Sequence, residues 1–238
     1  VRGKPLFLVY RANRFPDALR TTSLWRDEAR RLGVGELYLC RVESFPDEHN
    51  DPRPLGFDAA VEFQPDWTKL GPKLGNPQYG DNKVYQYEDV VRRMLDKPEP
   101  FYPWHRCITP SWDNAPRRKS GATVLIGSTP DLYEKWLQTM VSRIRQEKGE
   151  QILFINAWNE WGEGNHLEPD LEFGRGYLEA TRRAYLRATV QSGLNTEELI
   201  AEGRYDEAIG LIQSRIEMHP DDASAHNEFG AILYQTGN

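Results

Sequence analysis

The sequence predicts an α/β fold with a parallel sheet, followed by an all-α tail. Two observations support this prediction: short apolar runs alternate with helical segments over residues 1–190, and small residues at helical spacing then take over. Continuously apolar runs, unlike alternating ones, are typical of parallel strands that are covered on both faces. With 238 residues, 39% of them hydrophobic, the chain is long enough to bury a core of this kind.

Five strands are predicted before residue 160, with helices between most of them. Helices are expected over residues 17–32, 130–147 and 174–190. In the second helix, Thr129 is a candidate N-cap, Pro130 occupies the first helical position and Asp131 lies in the first turn. The predicted strands are Leu6 to Tyr10, Leu37 to Val42, Ala59 to Phe63, Cys107 to Ile108 with their flanks, and Ile152 to Ala157.

Five βα units and a final helix fit the C-terminal part of a (β/α)8 barrel, which usually takes about 250 residues. A doubly wound open sheet would also accommodate five strands. However, no glycine-rich phosphate loop follows any of them, so the sequence does not support a nucleotide-binding version of that sheet. We therefore predict a TIM-like barrel domain over residues 1–190 that lacks its N-terminal strands.

A tetratricopeptide repeat region is predicted over residues 194–238. Gly203 and Gly237 lie 34 residues apart, which is the period of this repeat. Such repeats bury their faces by stacking on one another, so the array should continue or lean on the preceding domain, and it could bind a protein partner. The residues that match the repeat spacing between the two glycines are Tyr205, Ala208, Ile212, Pro220, Phe229 and Gly230.

Charge and composition exclude several partners. A net charge of −6 provides no basic surface for phosphates, so we expect no nucleic acid partner. No apolar stretch approaches the roughly 18 residues of a membrane span, and the opening VRGKPLFLVY has no leader pattern, which predicts a cytoplasmic protein. Cys40 and Cys107 lie in apolar runs and are predicted to be buried free thiols.

Two glutamates three positions apart follow the fifth strand, within NAWNEWGEGNHLEPD at residues 156–170. Neighbouring carboxyl groups push their proton affinities apart, so that one stays protonated while the other ionises. Making or breaking a glycosidic bond needs such an acid and base. We therefore predict that Glu160 and Glu163 are catalytic, with Gly162 and Gly164 allowing the tight turn that aims them inward.

Polar and aromatic residues at the other strand ends are expected to converge on the same mouth of the barrel. Tryptophan faces suit the C–H side of a pyranose, and polar side chains suit its hydroxyl groups. Taken singly, Glu43 and Glu62 could simply mark where strands reach water, and Trp158 could belong to the core. The predicted sugar-binding residues are Tyr10, Glu43, Glu62, Trp112, Asp113, Asn114, Asn159, Trp161 and His166.

Other chemistries have less support in the sequence, and we predict neither a metal nor a cofactor. His166 and Glu168 form a lone pair of potential ligands. No Gly-x-Ser-x-Gly elbow is present, and Ser111 has no evident histidine base. Arg117 and Arg118 could grip a phosphate or diphosphate leaving group, or could serve only solubility.

Four motifs resemble a known family in order and spacing: GKPLFLVYRANRFPD, GFDAAVEFQPDW, PSWDNAPRR and FINAWNEWGEGNHLEPD. Over residues 1–188 the chain resembles the C-terminal half of the bacterial O-antigen-biosynthesis proteins called WbsX-like, which are similar to family 99 glycoside hydrolases of endo-α-mannosidase type. The resemblance implies a (β/α)8 barrel and a mannoside-like or O-antigen-type polysaccharide substrate.

The resemblance also implies roles at the Asn-Glu-Trp-x-Glu-Gly motif. Glu160 would be the base acting on the sugar 2-hydroxyl, giving an anhydro-sugar intermediate, and Glu163 would be the acid and then the base at the glycosidic oxygen. Hydrolysis and glycosyl transfer both stay open, including transfer from a sugar nucleotide. A non-catalytic scaffold that binds glycan or acts through its repeats is the alternative from another class.

Overall fold

The computed structural model describes residues 1–147, 149–191 and 195–237. The strands in these residues are, in chain order, β1 Leu6–Tyr10, β2 Tyr38–Glu43, β3 Ala59–Glu62, β4 Lys83–Gln86, β5 Trp104–Ile108, β6 Trp112–Asp113, β7 Thr123–Ile126, β8 Leu153–Ile155, β9 Asn159–Glu160 and β10 Asn165–His166. The α-helices are α1 Ala18–Arg31, α2 Tyr87–Leu95, α3 Pro130–Gln146, α4 Gly176–Gln191, α5 Thr196–Ala201, α6 Tyr205–Met218 and α7 Ala223–Thr236.

The five predicted strands are confirmed, and they form one parallel sheet in the order β1-β2-β3-β5-β8. The sheet curls into half a barrel whose edge strands are β1 and β8. Its register pairs Glu43 with Glu62, and Cys107 with Phe154. Because parallel strands all point the same way, the loops that follow them emerge at one edge of the sheet.

The two faces of the sheet are covered differently. Leu39 of β2 packs in a cluster with Trp25 of α1, and Ile108 of β5 packs in a cluster with Trp136 of α3, so this face carries the helices. The opposite face has its own small cluster, in which Cys40 and Val61 pack with Phe154. Side chains alternate along a strand, so residue parity decides which face each one occupies.

The structure has a second sheet that the sequence did not predict, so the prediction of five strands before residue 160 was incomplete. It has the order β4-β7-β6, with β4 and β7 parallel and β6 and β7 antiparallel. Strands of two to four residues carry too little periodicity to stand out in a sequence, which explains why this sheet was not predicted. It matters for function because β6 carries Trp112 and Asp113.

The predicted helices at 17–32, 130–147 and 174–190 correspond to α1, α3 and α4. The N-cap of α3 is confirmed, since the Thr129 side chain accepts a hydrogen bond from the Leu132 amide at 3.3 Å. Helices α3 and α4 pack against each other through a shared core that includes Tyr133, Leu137, Tyr177 and Ala184. This pair covers the β8 side of the half-barrel.

The tail is helical, as predicted, and has a small core formed by α5, α6 and α7. Gly203 comes directly after Glu202, the C-cap residue of α5, and Gly237 is itself the C-cap residue of α7; the two glycines have left-handed backbone, with φ of 72° and 76°. The predicted boundary at residues 190–194 falls largely on residues 192–194, outside the described residues. The core residues of the tail are Leu199, Ala208, Leu211, Ile212, Ala225 and Ile232.

Both cysteines are free and buried, as predicted. Burial raises the pKa of the Cys40 thiol to about 12. In the residues that the structure describes, no helix combines the length and apolar character needed to cross a membrane.

Candidate functional site

The loop after β8 folds back on itself as a short hairpin that carries both predicted catalytic glutamates. Strands β9 and β10 pair antiparallel, with Glu160 opposite Asn165, and a 3-10 turn over Trp161–Glu163 connects them. Gly164 ends this turn with φ 53°, a left-handed conformation that glycine adopts without strain. The hairpin is anchored to the end of β5, because the Thr109 hydroxyl donates to the buried Asn165 side chain at 2.8 Å.

The turn after β6 packs against this hairpin. The Ser111 hydroxyl donates to the Gly164 carbonyl. Asp113 accepts from the Ala115 amide at 2.8 Å, and Asn114 accepts from the Thr123 amide at 2.9 Å. Asp113 and Asn114 were predicted to bind sugar, but the structure uses these side-chain oxygens to shape the turn that ends at Arg117.

Arg117 joins the two glutamates. Its Nη1 lies 3.0 Å from a Glu163 carboxylate oxygen and 3.8 Å from a Glu160 carboxylate oxygen. Since both oxygens are measured from the same nitrogen, their separation cannot exceed the sum of these distances. The two carboxylate oxygens are therefore no farther apart than the carboxyl groups of glycoside hydrolases, which are separated by roughly 5–9.5 Å. The structure therefore brings Glu160 and Glu163 together.

The two glutamates differ in environment. The Glu163 side chain is 20% exposed, whereas that of Glu160 is 54% exposed. Burial raises the pKa of Glu163, Arg117 opposes this rise, and the negative charge of Glu160 adds to it. A carboxyl group with a raised pKa beside a more exposed one has the asymmetry that an acid and base pair requires.

Trp161 forms a fixed aromatic surface next to the pair. Its ring stacks on His166 at a centroid distance of 3.8 Å and an interplanar angle of 21°. Its indole nitrogen lies 2.6 Å from Glu168, to which it donates, and His166 in turn lies 3.1 Å from Asp170. Trp161 remains 47% exposed, so one part of the ring is open to a ligand while His166 supports the other.

Trp158 and Asn159 are also exposed on this loop. Trp158 is 52% exposed, so the structure places it at the surface and not in the core. Asn159 is exposed in β9, where its backbone pairs with that of His166. Both side chains are accessible next to Glu160.

Glu43 and Glu62 lie elsewhere. Glu43 shares the parity of Leu39 along β2, which places it on the helix-covered face of the sheet, and Glu62 is its partner on β3. Glu43 accepts from Tyr102 at 2.7 Å and from Trp104 at 3.1 Å. The structure does not bring this carboxyl group to the loop pair.

Glu62 is held by the partly buried Lys97 and by the sheet. It accepts from Lys97 at 2.9 Å and from the Cys107 amide at 3.1 Å, and Lys97 also donates to Asp66 at 2.6 Å. Burial raises the pKa of both Glu43 and Glu62. Their oxygens bond to protein donors, so direct sugar binding would require those donors to be displaced.

The aromatic residues at the strand ends form a row. Tyr10, which is exposed, contacts Phe63 at a ring-centroid distance of 6.4 Å, and Phe63 contacts Trp67 at the same distance. Trp67 packs edge-on against Trp112 at 5.0 Å. Trp112 is only 2% exposed, so it supports the row from beneath, while Tyr10 is open to a ligand.

Sequence reasoning missed the two residues that organise the site most. Arg117 was recognised only as a possible phosphate ligand, although its place just after WDN, itself close to a strand end, was a usable signal. Asp170 orients His166, and the only feature of the sequence that could have indicated this contact is their spacing of four residues.

Two cavities of the structure lie away from the loop glutamates. A cavity of about 560 Å³ lies between α3, β8 and α4, and one of about 520 Å³ lies beside Tyr38 and His105. Within residues 1–147, 149–191 and 195–237, no group of three or more His, Cys, Asp or Glu side chains is arranged to hold a metal ion. The Glu160 and Glu163 side chains, which are 54% and 20% exposed, flank Trp161 on the hairpin.

Comparison with known proteins agrees with the motifs. The family model described as "Glycosyltransferase WbsX" matches residues 1–181. Two proteins named "Uncharacterized protein WxcX", from two strains of Xanthomonas campestris pv. campestris, are 38% identical over 195 residues. This match covers 79% of the chain and 28% of each relative, so the chain spans little more than a quarter of their length.

A solved structure titled "Glycoside hydrolase-like protein" is also similar. It shares 14% sequence identity with the chain and superposes with a TM-score of 0.49. The match covers 77% of this chain and 54% of that one.

Proposed function

Because the chain belongs to the WbsX glycosyltransferase family, we propose that it is part of a carbohydrate-active enzyme in which Glu160 and Glu163 act on a glycosidic bond. One observation carries the proposal: two glutamates of unequal exposure share a single guanidinium in the loop after the fifth strand of the half-barrel. A purely structural role would not require two partly exposed carboxylates to share one guanidinium at the edge of the sheet. The substrate we propose is a mannoside-like or O-antigen-type glycan.

The environments support distinct roles. Glu163, with its raised pKa, donates its proton to the bridging oxygen as the bond from that oxygen to the sugar carbon breaks. Glu160, the more exposed carboxylate, takes the proton from the hydroxyl that attacks the same carbon. In hydrolysis through an anhydro-sugar, as in the resembling enzymes, that hydroxyl is the sugar 2-hydroxyl. In direct transfer it belongs to an acceptor.

The sugar is proposed to lie on exposed side chains of the loop and the aromatic row. Trp161 and Trp158 offer apolar faces, Tyr10 offers a ring and a hydroxyl, and Asn159 offers an amide. Two of the predicted binding residues, Asp113 and His166, act through their neighbours in this proposal. The other residues assigned to support are Glu43, Glu62, Trp112 and Asn114.

The local charge favours a neutral glycan over a nucleotide-diphosphate donor at the pair itself. Arg117 already faces two carboxylates, and Glu168 and Asp170 add negative charge behind Trp161. A diphosphate placed there would meet net repulsion. If a sugar nucleotide takes part, its diphosphate should lie toward Arg118, beyond the turn.

We further propose that the half-barrel is completed to a (β/α)8 barrel by strands outside residues 1–238. The sheet edges are β1 and β8, and Leu6 and Leu8 of β1 are about 40% exposed, which leaves apolar surface and backbone groups for further strands to cover. The chain spans 28% of the length of its curated relatives. In this proposal residues 1–190 form the barrel domain and residues 194–238 a second, helical domain whose α6 packs on α4.

We propose a second function for the helical tail, as a tetratricopeptide-type module. Gly203 and Gly237 lie near the C-terminal ends of α5 and α7, both with left-handed backbone, and are 34 residues apart, which is the period of tetratricopeptide repeats. Such repeats bind protein segments on their exposed faces. If the tail is a recruitment module, Tyr234→Ala, at an 89% exposed position, should weaken partner capture, and Glu160→Gln should not.

The experiment that tests the main proposal uses the whole protein and a panel of mannose-containing oligosaccharides. Binding is measured by calorimetry, and products are analysed with and without added sugar nucleotides. Release of a free sugar without a donor supports hydrolysis, and product formation only with a donor supports transfer. If no glycan in the panel gave binding or product, the enzymatic proposal would be overturned, and the non-catalytic scaffold would be the remaining alternative.

A further inference from the structure

Arg117 is the one cation that the structure places within ion-pairing distance of both loop glutamates, among the residues it describes. We propose that Arg117 is a positioning residue that ties the carboxylates of Glu160 and Glu163 together across the site, and that Gly164 leaves the space this contact needs. The proposal deepens the proposed function, since it concerns how the same pair is prepared for proton transfer.

Two features of the turn fix where the guanidinium can reach. The Arg117 amide donates to the Asn114 carbonyl at 3.2 Å, which closes the 3-10 turn over Ala115–Arg117. Asn114 is itself bound to Thr123 of β7 through its amide, at 3.3 Å, and its side chain, at 2.9 Å. The side chain of Arg117 therefore starts from a backbone that two strands hold.

The glycines of the hairpin meet this turn. A Cβ atom at position 164 would lie 3.0–3.2 Å from the side chain and backbone of Asp113, which is too close for an ordinary packed contact. A Cβ atom at position 162 would lie 3.4 Å from Cδ of Arg117. Gly164 thus lets the hairpin and the turn approach closely enough for Arg117 to contact Glu163, whereas a Cβ atom at position 162 would make an ordinary van der Waals contact.

The consequence is a balance of charges around Glu163. Arg117 favours the ionised form, while burial and the negative charge of Glu160 favour the protonated form. Asp113, packed against Gly164, is the other acidic group that the turn brings to this side. Loss of Arg117 would leave only influences that raise the pKa of Glu163.

Carboxyl footprinting tests this balance without a glycan. Carbodiimide with glycine ethyl ester couples to a carboxyl group at a rate that falls as the group loses its proton, and peptide mass spectrometry separates Glu163 from Glu160. Because the reagent also responds to pH, the midpoints are compared between variants under identical conditions. The labelling midpoint of Glu163 is measured against pH in the whole protein for wild type, Arg117→Ala and Arg117→Lys. Arg118→Ala is the matched control, because it removes an adjacent charge from the same loop.

We expect Arg117→Ala to move the Glu163 midpoint upward by about half a pH unit or more, since a nearby opposite charge shifts a carboxyl pKa by about 1–3 units and this one is partly solvated. Arg117→Lys should restore most of the shift, and Arg118→Ala should match wild type. Glu160→Gln should lower the midpoint.

A Glu163 midpoint in Arg117→Ala that equals the Arg118→Ala value, or falls below wild type, would overturn the proposal. Thermal melting of each variant shows whether it is folded. If Arg117→Ala is not folded, the Glu163 midpoint is still compared between wild type and Arg117→Lys. Because no glycan enters the measurement, failure of the enzymatic proposal leaves this result unaffected, and the two can be judged separately.

Discussion

Two pairs of glutamates in this half-barrel differ in almost every physical respect. Glu43 and Glu62 stand opposite each other on β2 and β3, are 5% exposed, and bond to fixed donors from neighbouring segments. Glu160 and Glu163 stand on an outer hairpin, are partly exposed, and share one guanidinium. A carboxylate whose oxygens are all engaged contributes to the fold, whereas one with free oxygens beside an aromatic surface is available for chemistry.

The largest expected effect on stability comes from breaking the buried pair. Glu62→Ala leaves the partly buried Lys97 with one carboxylate partner, Asp66, in place of two, and leaves the buried Cys107 amide without its acceptor. We expect the free energy of unfolding to fall by about 3 kcal/mol, as when one partner of a buried ion pair is removed. Denaturant unfolding measures this.

The matched control for Glu62→Ala is Glu160→Ala, at an exposed position, which should change the free energy of unfolding by about 0.5 kcal/mol or less. Equal losses in the two variants would show that the distinction between the pairs is false.

A smaller effect is expected from the glycine that joins hairpin and turn. Gly164→Ala places a Cβ atom against Asp113 at a residue with φ 53°, which should cost about 1–2 kcal/mol of unfolding free energy. Gly162→Ala meets only the flexible Arg117 side chain and should cost less. Denaturant unfolding of both variants checks the order, and a larger loss for Gly162→Ala would contradict it.

How much of this could be read from the sequence depends on the length of each signal. The five strands of the main sheet are recognisable in the sequence as apolar runs, and the motif Asn-Glu-Trp-Gly-Glu-Gly identifies Glu160 and Glu163. Strand β6 has two residues and no detectable period, so the sequence places Arg117 near a strand end without showing that its turn packs against the hairpin.

The faces of the sheet were harder to predict than its strands. Glu43 and Glu62 end apolar runs just as Tyr10 does, and only the packing of Leu39 against α1 reveals which face their parity selects. Side-chain destinations at strand ends depend on which segments arrive to cover them. Tyr102 and Lys97, which bind these glutamates, come from connections with no sequence signal for that contact.

The support of Trp161 gives a further, smaller prediction. Glu168→Gln replaces the charged acceptor of the Trp161 indole with a neutral one, and the loss of a charge-assisted bond is expected to weaken glycan binding by about tenfold or less. Calorimetric titration measures the change. Glu172→Gln, nearby on the same segment, is the control and should bind as wild type does. Unchanged binding in Glu168→Gln would show that the negative charge of the acceptor is dispensable.

The smallest effect concerns pH. Burial raises the pKa of Glu43 above its ordinary value of 4.5. The folded protein therefore binds this proton more tightly than the unfolded chain does, and its contribution to stability grows as pH falls through the raised pKa toward 4.5. Relative to Glu43→Gln, wild type should gain unfolding free energy over this window. A relative loss on acidification would reverse the assigned sign.

The most direct test of the central claim measures glycan turnover and thermal stability together in Glu163→Gln and Glu43→Gln, using the whole protein and whichever oligosaccharide the panel identifies. We predict that Glu163→Gln lowers turnover by about 100-fold or more with little change in melting temperature. Glu43→Gln should lower the melting temperature while folded molecules keep their turnover. Unchanged turnover in Glu163→Gln, or a selective loss of turnover in Glu43→Gln, would contradict the account.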